Sequence, residues 1–272
     1  MIRHLAMLPF PEIDPNIIEI GPLKIRWYGL MYVAGFIASY VLIPRQQRAK
    51  EIGLKGILLQ NLIFYLAIGL IVGARLGYIL CYQYSNLSEY LSNPIEIIAT
   101  WHGGMSFHGG LVGAVAAGYL FSVRNRLPFW QMADSVIVTA PIGLFLGRIG
   151  NFVNGELFGR PSDVPWAMVF PMGGPLPRHP SQLYEAALEG VLLFFLLWSI
   201  KDIIRRPGAM VSVFLAGYGV MRFFVEFFRQ PDPQIGLLWG IVSMGQILCL
   251  GMIAMAFIPC LFVKPGKGTS QY

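Results

Sequence analysis

Four apolar runs, residues 27–43, 57–78, 105–123 and 235–263, constrain this chain more than any other feature. Each is long enough, or nearly so with its flanking aromatics, to cross a hydrocarbon core of about 30 Å. Within such a core each backbone N–H and C=O must be paired inside the protein, so the runs predict helices. Only 12% of the 272 residues are charged, where a soluble domain carries about 25%. The expectation is an all-α, polytopic integral membrane protein.

Three further segments bring the count to about seven transmembrane helices. Residues 135–147 end at Arg148, residues 183–200 carry Glu185 and Glu189, and residues 208–228 carry Arg222 and Glu226. Basic clusters follow alternate spans: Arg45, Arg48, Lys50 and Lys55; Arg124 and Arg126; Lys201, Arg205 and Arg206; Lys264 and Lys267. The positive-inside rule assigns them to the cytoplasm, with the N-terminus outside and the C-terminus inside. Residues 1–272 read as a single membrane-embedded domain. It has an outer N-terminal arm (1–26) and an irregular outer head segment (150–181) that holds six prolines. The prolines and acidic residues of the first 26 positions do not match a cleavable leader.

The net charge of +6 does not imply nucleic acid, because the basic residues punctuate the gaps between apolar runs. Cys81, Cys249 and Cys260 have neither metal nor redox spacing and read as small buried hydrophobes. Arg148, Arg160, Arg178, Arg222 and Arg229 fall on the outer side, against the charge bias, and Arg75 lies inside the second span. Cations placed this way are expected to have specific anionic partners.

Several groups stand where chemistry is possible. Gly147-Arg148-Ile149-Gly150-Asn151-Phe152-Val153-Asn154-Gly155-Glu156-Leu157-Phe158-Gly159 is a polar, glycine-rich run at a membrane boundary. Such backbone is tolerated where it is buried in protein or lines a wet cavity. Residues 101–110 set His102 and His108 among four glycines; His108 can act as a base or a hydrogen-bonding group, and the glycines also fit plain helix packing. Tyr218, Arg222, Glu226 and Arg229 share one helical face. That face reads either as an ion-pair ladder or as a phosphate site with surplus positive charge. Gln182, Glu185 and Glu189 share another face, where the carboxylates are expected to neutralise arginines. On these residues alone a lipid-headgroup enzyme and an anionic-lipid transporter fit equally well. An intramembrane protease fits poorly, because Ser106 and His108 are not facing neighbours on a helix. A purely structural subunit leaves the outer polar groups unexplained.

Taken together, these residues resemble the prolipoprotein diacylglyceryl transferase family. The signature G-R-x-G-N-F-x-N-x-E-x-x-G is matched throughout by Gly147 to Gly159, with His108-Gly109-Gly110, Arg178–Glu185 and the Tyr218/Arg222/Glu226/Arg229 face in support. Trp27-Tyr28-Gly29 and Gly73–Tyr78 also fit. The resemblance implies a seven-helix bacterial inner-membrane enzyme with a periplasmic head and the active site toward the periplasm. Its partners would be phosphatidylglycerol, the bilayer and prolipoprotein signal peptides with a lipobox cysteine, with no metal or organic cofactor. It further implies that His108, Arg148 and Arg222 are catalytic. Tyr28, Arg75, Asn151, Asn154, Glu156, Tyr218, Glu226 and Arg229 would line or support the headgroup cavity.

Overall fold

A computed structural model describes residues 8–11, 13–20, 23–100, 103–230, 236–238 and 241–259. Short strands β1 (Leu8–Pro9), β2 (Asn16–Ile20) and β3 (Leu23–Arg26) precede helix α1 (Trp27–Leu42). Helices α2 (Gln47–Glu51), α3 (Gly56–Tyr82), α4 (Leu87–Ser92), α5 (Ile95–Ile98) and α6 (Phe107–Arg124) follow. Then come α7 (Phe129–Ile137), α8 (Ala140–Val153), β4 (Met168–Val169) and α9 (Ser181–Glu185), which continues as a π-helical segment (Ala186–Leu192) into α10 (Leu193–Ile200). Helix α11 (Ala209–Val225), the hairpin β5 (Leu237–Leu238) and β6 (Val242–Ser243), and α12 (Met244–Met255) complete the order. The chain forms two compact units, Met1–Gln46 with Asp134–Tyr272, and Gln47–Ala133.

In the first unit, α1 packs on α8, α8 on the π segment, and α11 on both α10 and α12. Val138, Leu193, Leu197 and Met210 form a fully buried cluster, flanked by Phe214 and Tyr218. The buried Asp134 carboxylate accepts from Gly208 N at 2.7 Å and Val211 N at 3.0 Å, pairing donors that the start of α11 leaves orphaned. Ile37, Phe195 and Phe224 point outward and are exposed, which suits contact with lipid rather than water.

The second unit is organised by α3 packed along α6. Gly69, Gly73 and Gly77 recur every four residues on α3 and meet Gly109 and Gly113 on α6. A Cβ on Gly113 would lie 2.1 Å from the Gly69 carbonyl oxygen, and one on Gly109 would lie 2.4 Å from that of Gly73. The two backbones are therefore in direct contact along a small-residue seam, the usual way for apolar helices to pack where no hydrophobic force drives them together.

Among the described residues three helices, Trp27–Arg45, Gly56–Tyr82 and Ser181–Ile200, are long and apolar enough to cross a membrane. The pair α7 and α8, bent by 41° at their break, passes the same test together. Several expected boundaries shift. The span expected at 135–147 straddles the break in this pair, from the end of α7 into α8, with Pro141 in the first turn of α8 where a missing N–H costs nothing. Helix α8 also runs on to Val153, because Asn151 finds a side-chain partner that offsets its poor propensity. The run expected to be helical from residue 235 opens instead with the β5–β6 hairpin. Its helix starts at Met244, fixed by a reciprocal capping box between Ser243 and Gln246. The remainder of that run lies partly outside the described residues. The arm and head contain strand, where an all-α chain was expected: β1 pairs in parallel with β4, and β2 with β3 antiparallel. Isoleucines at 17, 18, 20 and 25 favour such extended backbone.

Candidate active site

The polar run is built in two parts. Through Val153 it forms about the last two turns of α8; beyond, it is a tight turn in which Gly155 and Leu157 both adopt positive φ, 66° and 56°. For leucine this conformation is costly, so surrounding contacts must hold it. They come from the start of α9: Ser181 Oγ donates to the Leu157 carbonyl at 3.1 Å, and Gln182 Nε2 to the Glu156 carbonyl at 2.6 Å. Within the turn, Glu156 Oε1 accepts from both Asn151 Nδ2 (2.9 Å) and Asn154 Nδ2 (3.0 Å). The two asparagines and the glutamate of the signature are thus one hydrogen-bonded cluster. Gly150 lies against Tyr28, whose ring would be 2.9 Å from a Cβ there. Tyr28 in turn shares a hydroxyl contact of 3.2 Å with Tyr32.

Beside this turn, three arginines and three glutamates interlock. Arg148 Nε, on α8, donates to Glu185 Oε2 at 2.7 Å, and Arg222 Nη1, on α11, pairs with the same oxygen. Arg222 Nη2 reaches Glu226 Oε2 at 3.2 Å, one turn further along the chain, and Arg229 Nη1 lies 3.9 Å from that oxygen. Glu189 is held loosely, 3.5 Å from Arg222 and 3.8 Å from Arg148. Glu185 and Glu189 have no solvent exposure, and the Arg222 side chain is 10% exposed against 19% for Arg148. Charges this deeply buried are retained at a desolvation cost that only mutual pairing offsets. Glu185 and Glu189 sit where the spacing of the polar face expected them, against the arginines.

Glu226 has a second anchor. Ser243 Oγ donates to Glu226 Oε1 at 3.2 Å, and a Cβ on Gly245 would fall 2.6 Å from the carboxylate. The carboxylate thus rests on the first turn of α12, where the exposed amide end favours negative charge. Tyr218, one turn before Arg222, stacks on Phe214 with centroids 5.8 Å apart.

His108 and Arg75 belong to the second unit. His108 is in the first turn of α6 and exposed, with its ring edge-on to Phe107 at 5.7 Å. Ser106 is committed to capping that helix, its Oγ accepting from Gly109 N at 3.2 Å. His102 lies outside the described residues. Arg75 is buried and donates to the carbonyls of Ile97 (3.0 Å), Gly103 (2.6 Å), Gly104 (2.9 Å) and Glu96.

The arginines singled out in the sequence therefore divide. Arg148, Arg222 and Arg229 meet carboxylates, whereas Arg75, Arg160 and Arg178 are occupied by carbonyl oxygens. Arg160 Nε donates to the Arg229 carbonyl at 2.9 Å. Arg178 donates to Gly173 and Gly159 carbonyls at 2.9 and 3.3 Å and to Gln230 Oε1 at 3.2 Å, and it covers the Phe158 ring. For these three the partners among the described residues are mainly carbonyl oxygens: irregular outer backbone leaves carbonyls unpaired, and a guanidinium fork can satisfy several at once. Ser181, Ser243 and Gly245 were missed as supports. The Ser243-x-x-Gln246 capping pattern could have revealed the second of these.

A profile described as prolipoprotein diacylglyceryl transferase matches residues 15–262. A Geobacter sulfurreducens protein is 49% identical over 260 residues, covering 96% of this chain and 99% of its own length. A Rhodospirillum rubrum protein is 49% identical over 270 residues (97% of each), and one from Pseudomonas paraeruginosa 51% over 248 residues (91% and 92%). All three carry the name phosphatidylglycerol–prolipoprotein diacylglyceryl transferase. The chain belongs to the prolipoprotein diacylglyceryl transferase family.

Proposed function

We propose that this chain, as a member of that family, is a transferase that moves the diacylglyceryl group of phosphatidylglycerol onto the cysteine thiol of a prolipoprotein. The product is a thioether, and glycerol phosphate leaves. The observation that carries the reading at the level of the site is the convergence of Arg148 and Arg222 on Glu185, inside the family signature and its neighbours.

The chemistry asks for such a site. The sulfur forms a bond to the glyceryl carbon, the carbon–oxygen bond breaks, and its electron pair goes to the phosphate. The thiol proton balances the charge gained by the leaving group. A thiol has a pKa of about 8.5, so a base near it speeds the attack. Fixed guanidinium groups aimed at the phosphate stabilise charge as it develops there. Arg148, the more exposed of the pair, would contact the headgroup, and Arg222 would stand behind it. His108 would accept the thiol proton or hold the phosphate. Tyr28, Asn151, Asn154, Glu156, Tyr218, Glu226 and Arg229 would shape the cavity and orient the two arginines. Arg75 would belong to the same set, as the family resemblance implies.

The finer reading includes a lipobox cysteine as the acceptor, residues 1–272 as one catalytic domain, and seven spans with the N-terminus outside. It places the enzyme in the bacterial inner membrane with its active site toward the periplasm. Incubation of the purified protein with phosphatidylglycerol and a lipobox peptide should yield the diacylglyceryl adduct by mass spectrometry. Lipid movement across vesicles without any adduct would favour the transporter instead.

A further inference from the structure

The buried network has a charge problem. Its ion pairs join Arg148, Arg222 and Arg229 to Glu185, Glu189 and Glu226, so with each of these six groups ionised the set carries no net charge. A phosphodiester docked against the two leading arginines brings one further negative charge into surroundings from which water is largely excluded. Either a carboxylate leaves, or one becomes neutral.

The six groups are not equally placed to change state. Glu185 shares one oxygen between two guanidiniums, and Glu226 is held by Arg222, Ser243 and the first turn of α12. Each of the three carboxylates has one oxygen that accepts no hydrogen bond, but Glu189 is the outlier in its cations: the closest are at 3.5 and 3.8 Å, although it is fully buried. It faces Arg148 from α8, Arg222 and Tyr218 from α11, Cys249 from α12, and Glu185 one turn back along its own chain. Helix α10, which continues its segment, offers no charged residue. The seven-residue π turn holds Glu189 in the chain. With about 4.4 residues per turn it keeps residues four apart close to one line, so Glu189 stays beside Glu185 and cannot swing out to solvent without unwinding.

We infer that Glu189 is the proton-binding counter-ion of this site: it takes up a proton as the anionic headgroup docks and so frees one unit of arginine charge for the phosphate. Glu189 acts as a positioning residue that sets the charge of Arg148 and Arg222. The inference rests on the phosphatidylglycerol reading above and adds to it the linkage between proton and lipid.

The test is calorimetric titration of the full-length protein in detergent with phosphatidylglycerol, in buffers of differing ionisation enthalpy. Wild type should take up about one proton per lipid bound, and its affinity should fall about tenfold per pH unit on the alkaline side. Glu189→Gln should bind the lipid with uptake near zero and a flattened pH profile. Unchanged uptake in that variant, or lipid binding to wild type with no uptake, overturns the role of Glu189 and leaves the headgroup reading standing. No binding to wild type takes down both. Should Glu189→Gln not fold, infrared difference spectra of wild type decide: a protonated-carboxyl band must grow on lipid addition, and its absence rejects the proposal.

Discussion

Arg148 Nε stands 2.7 Å from Glu185 Oε2, and that single oxygen also takes Arg222, so one carboxylate sets the separation of the two guanidiniums. Removing it leaves the two like charges with only the loosely held Glu189, 3.8 and 3.5 Å away, between them. Glu185→Ala should lower stability by about 3–5 kcal/mol and abolish transfer, whereas Glu185→Gln should keep more of the fold by preserving shape. Thermal unfolding in detergent measures the first effect. Unaltered unfolding of Glu185→Ala would show that the pair is not held as described.

Arg222 reaches Glu185 with one nitrogen and Glu226 with another, a span that a lysine ammonium cannot cover. Arg222→Lys should therefore cost about 10²–10³ in kcat, the usual cost of losing one preorganised donor to developing charge. Steady-state kinetics with a lipobox peptide read this directly; a change confined to KM would assign Arg222 to lipid binding alone.

His108 is exposed and in the described residues supports no packing beyond its neighbouring ring. His108→Ala should leave unfolding within about 0.5 kcal/mol of wild type. Transfer should fall by about 10²–10⁴, as for loss of a general base. Equal losses of stability and activity would return His108 to a structural role.

The α3–α6 seam separates packing from chemistry. Gly113→Ala forces a methyl group against the Gly69 carbonyl and should destabilise by about 1–3 kcal/mol. Gly251→Ala, with nothing within 4 Å of the new methyl, should be neutral or gain slightly from helix propensity. Melting temperatures of the two variants side by side make the comparison.

The head should lose stability in mild acid through His179. Trp166 Nε1 donates to Tyr184 Oη at 2.6 Å, so the tyrosine proton is directed at His179 Nδ1, 3.1 Å away. Partial burial holds this imidazole below its ordinary value. Between the folded and unfolded values the unfolded chain binds more protons, so stability is complete above about pH 6.5 and declines as pH falls below it. Replacing His179 with Gln should flatten that part of the stability profile, and an unchanged slope would assign it to another group.

Much of the site was legible because polar residues are conspicuous in an apolar chain. Arg148, Asn151, Asn154 and Glu156 stood out by composition, and the four-four-three spacing placed Tyr218, Arg222, Glu226 and Arg229 on one face. The carbonyl-bound arginines were not legible: which backbone oxygens lack partners depends on loop paths that side-chain patterns do not record. The π segment escaped for a similar reason, since its apolar residues satisfy a period of 3.6 as well as a longer one. The seam of α3 and α6 was visible only as one of two meanings for Gly109 and Gly110, and it took the facing glycines to choose.

Gly245 and Ser243 make α12 part of the charge network, and this has a consequence for biogenesis. A chain emerging N-terminus first has Arg148, Glu185 and Arg222 in place before α12 exists. Until that helix docks, Glu226 lacks the hydroxyl and helix end that anchor it. The electrostatics of the site are therefore completed only after α12 has been made, and a nascent chain stays poorly assembled there until that helix docks.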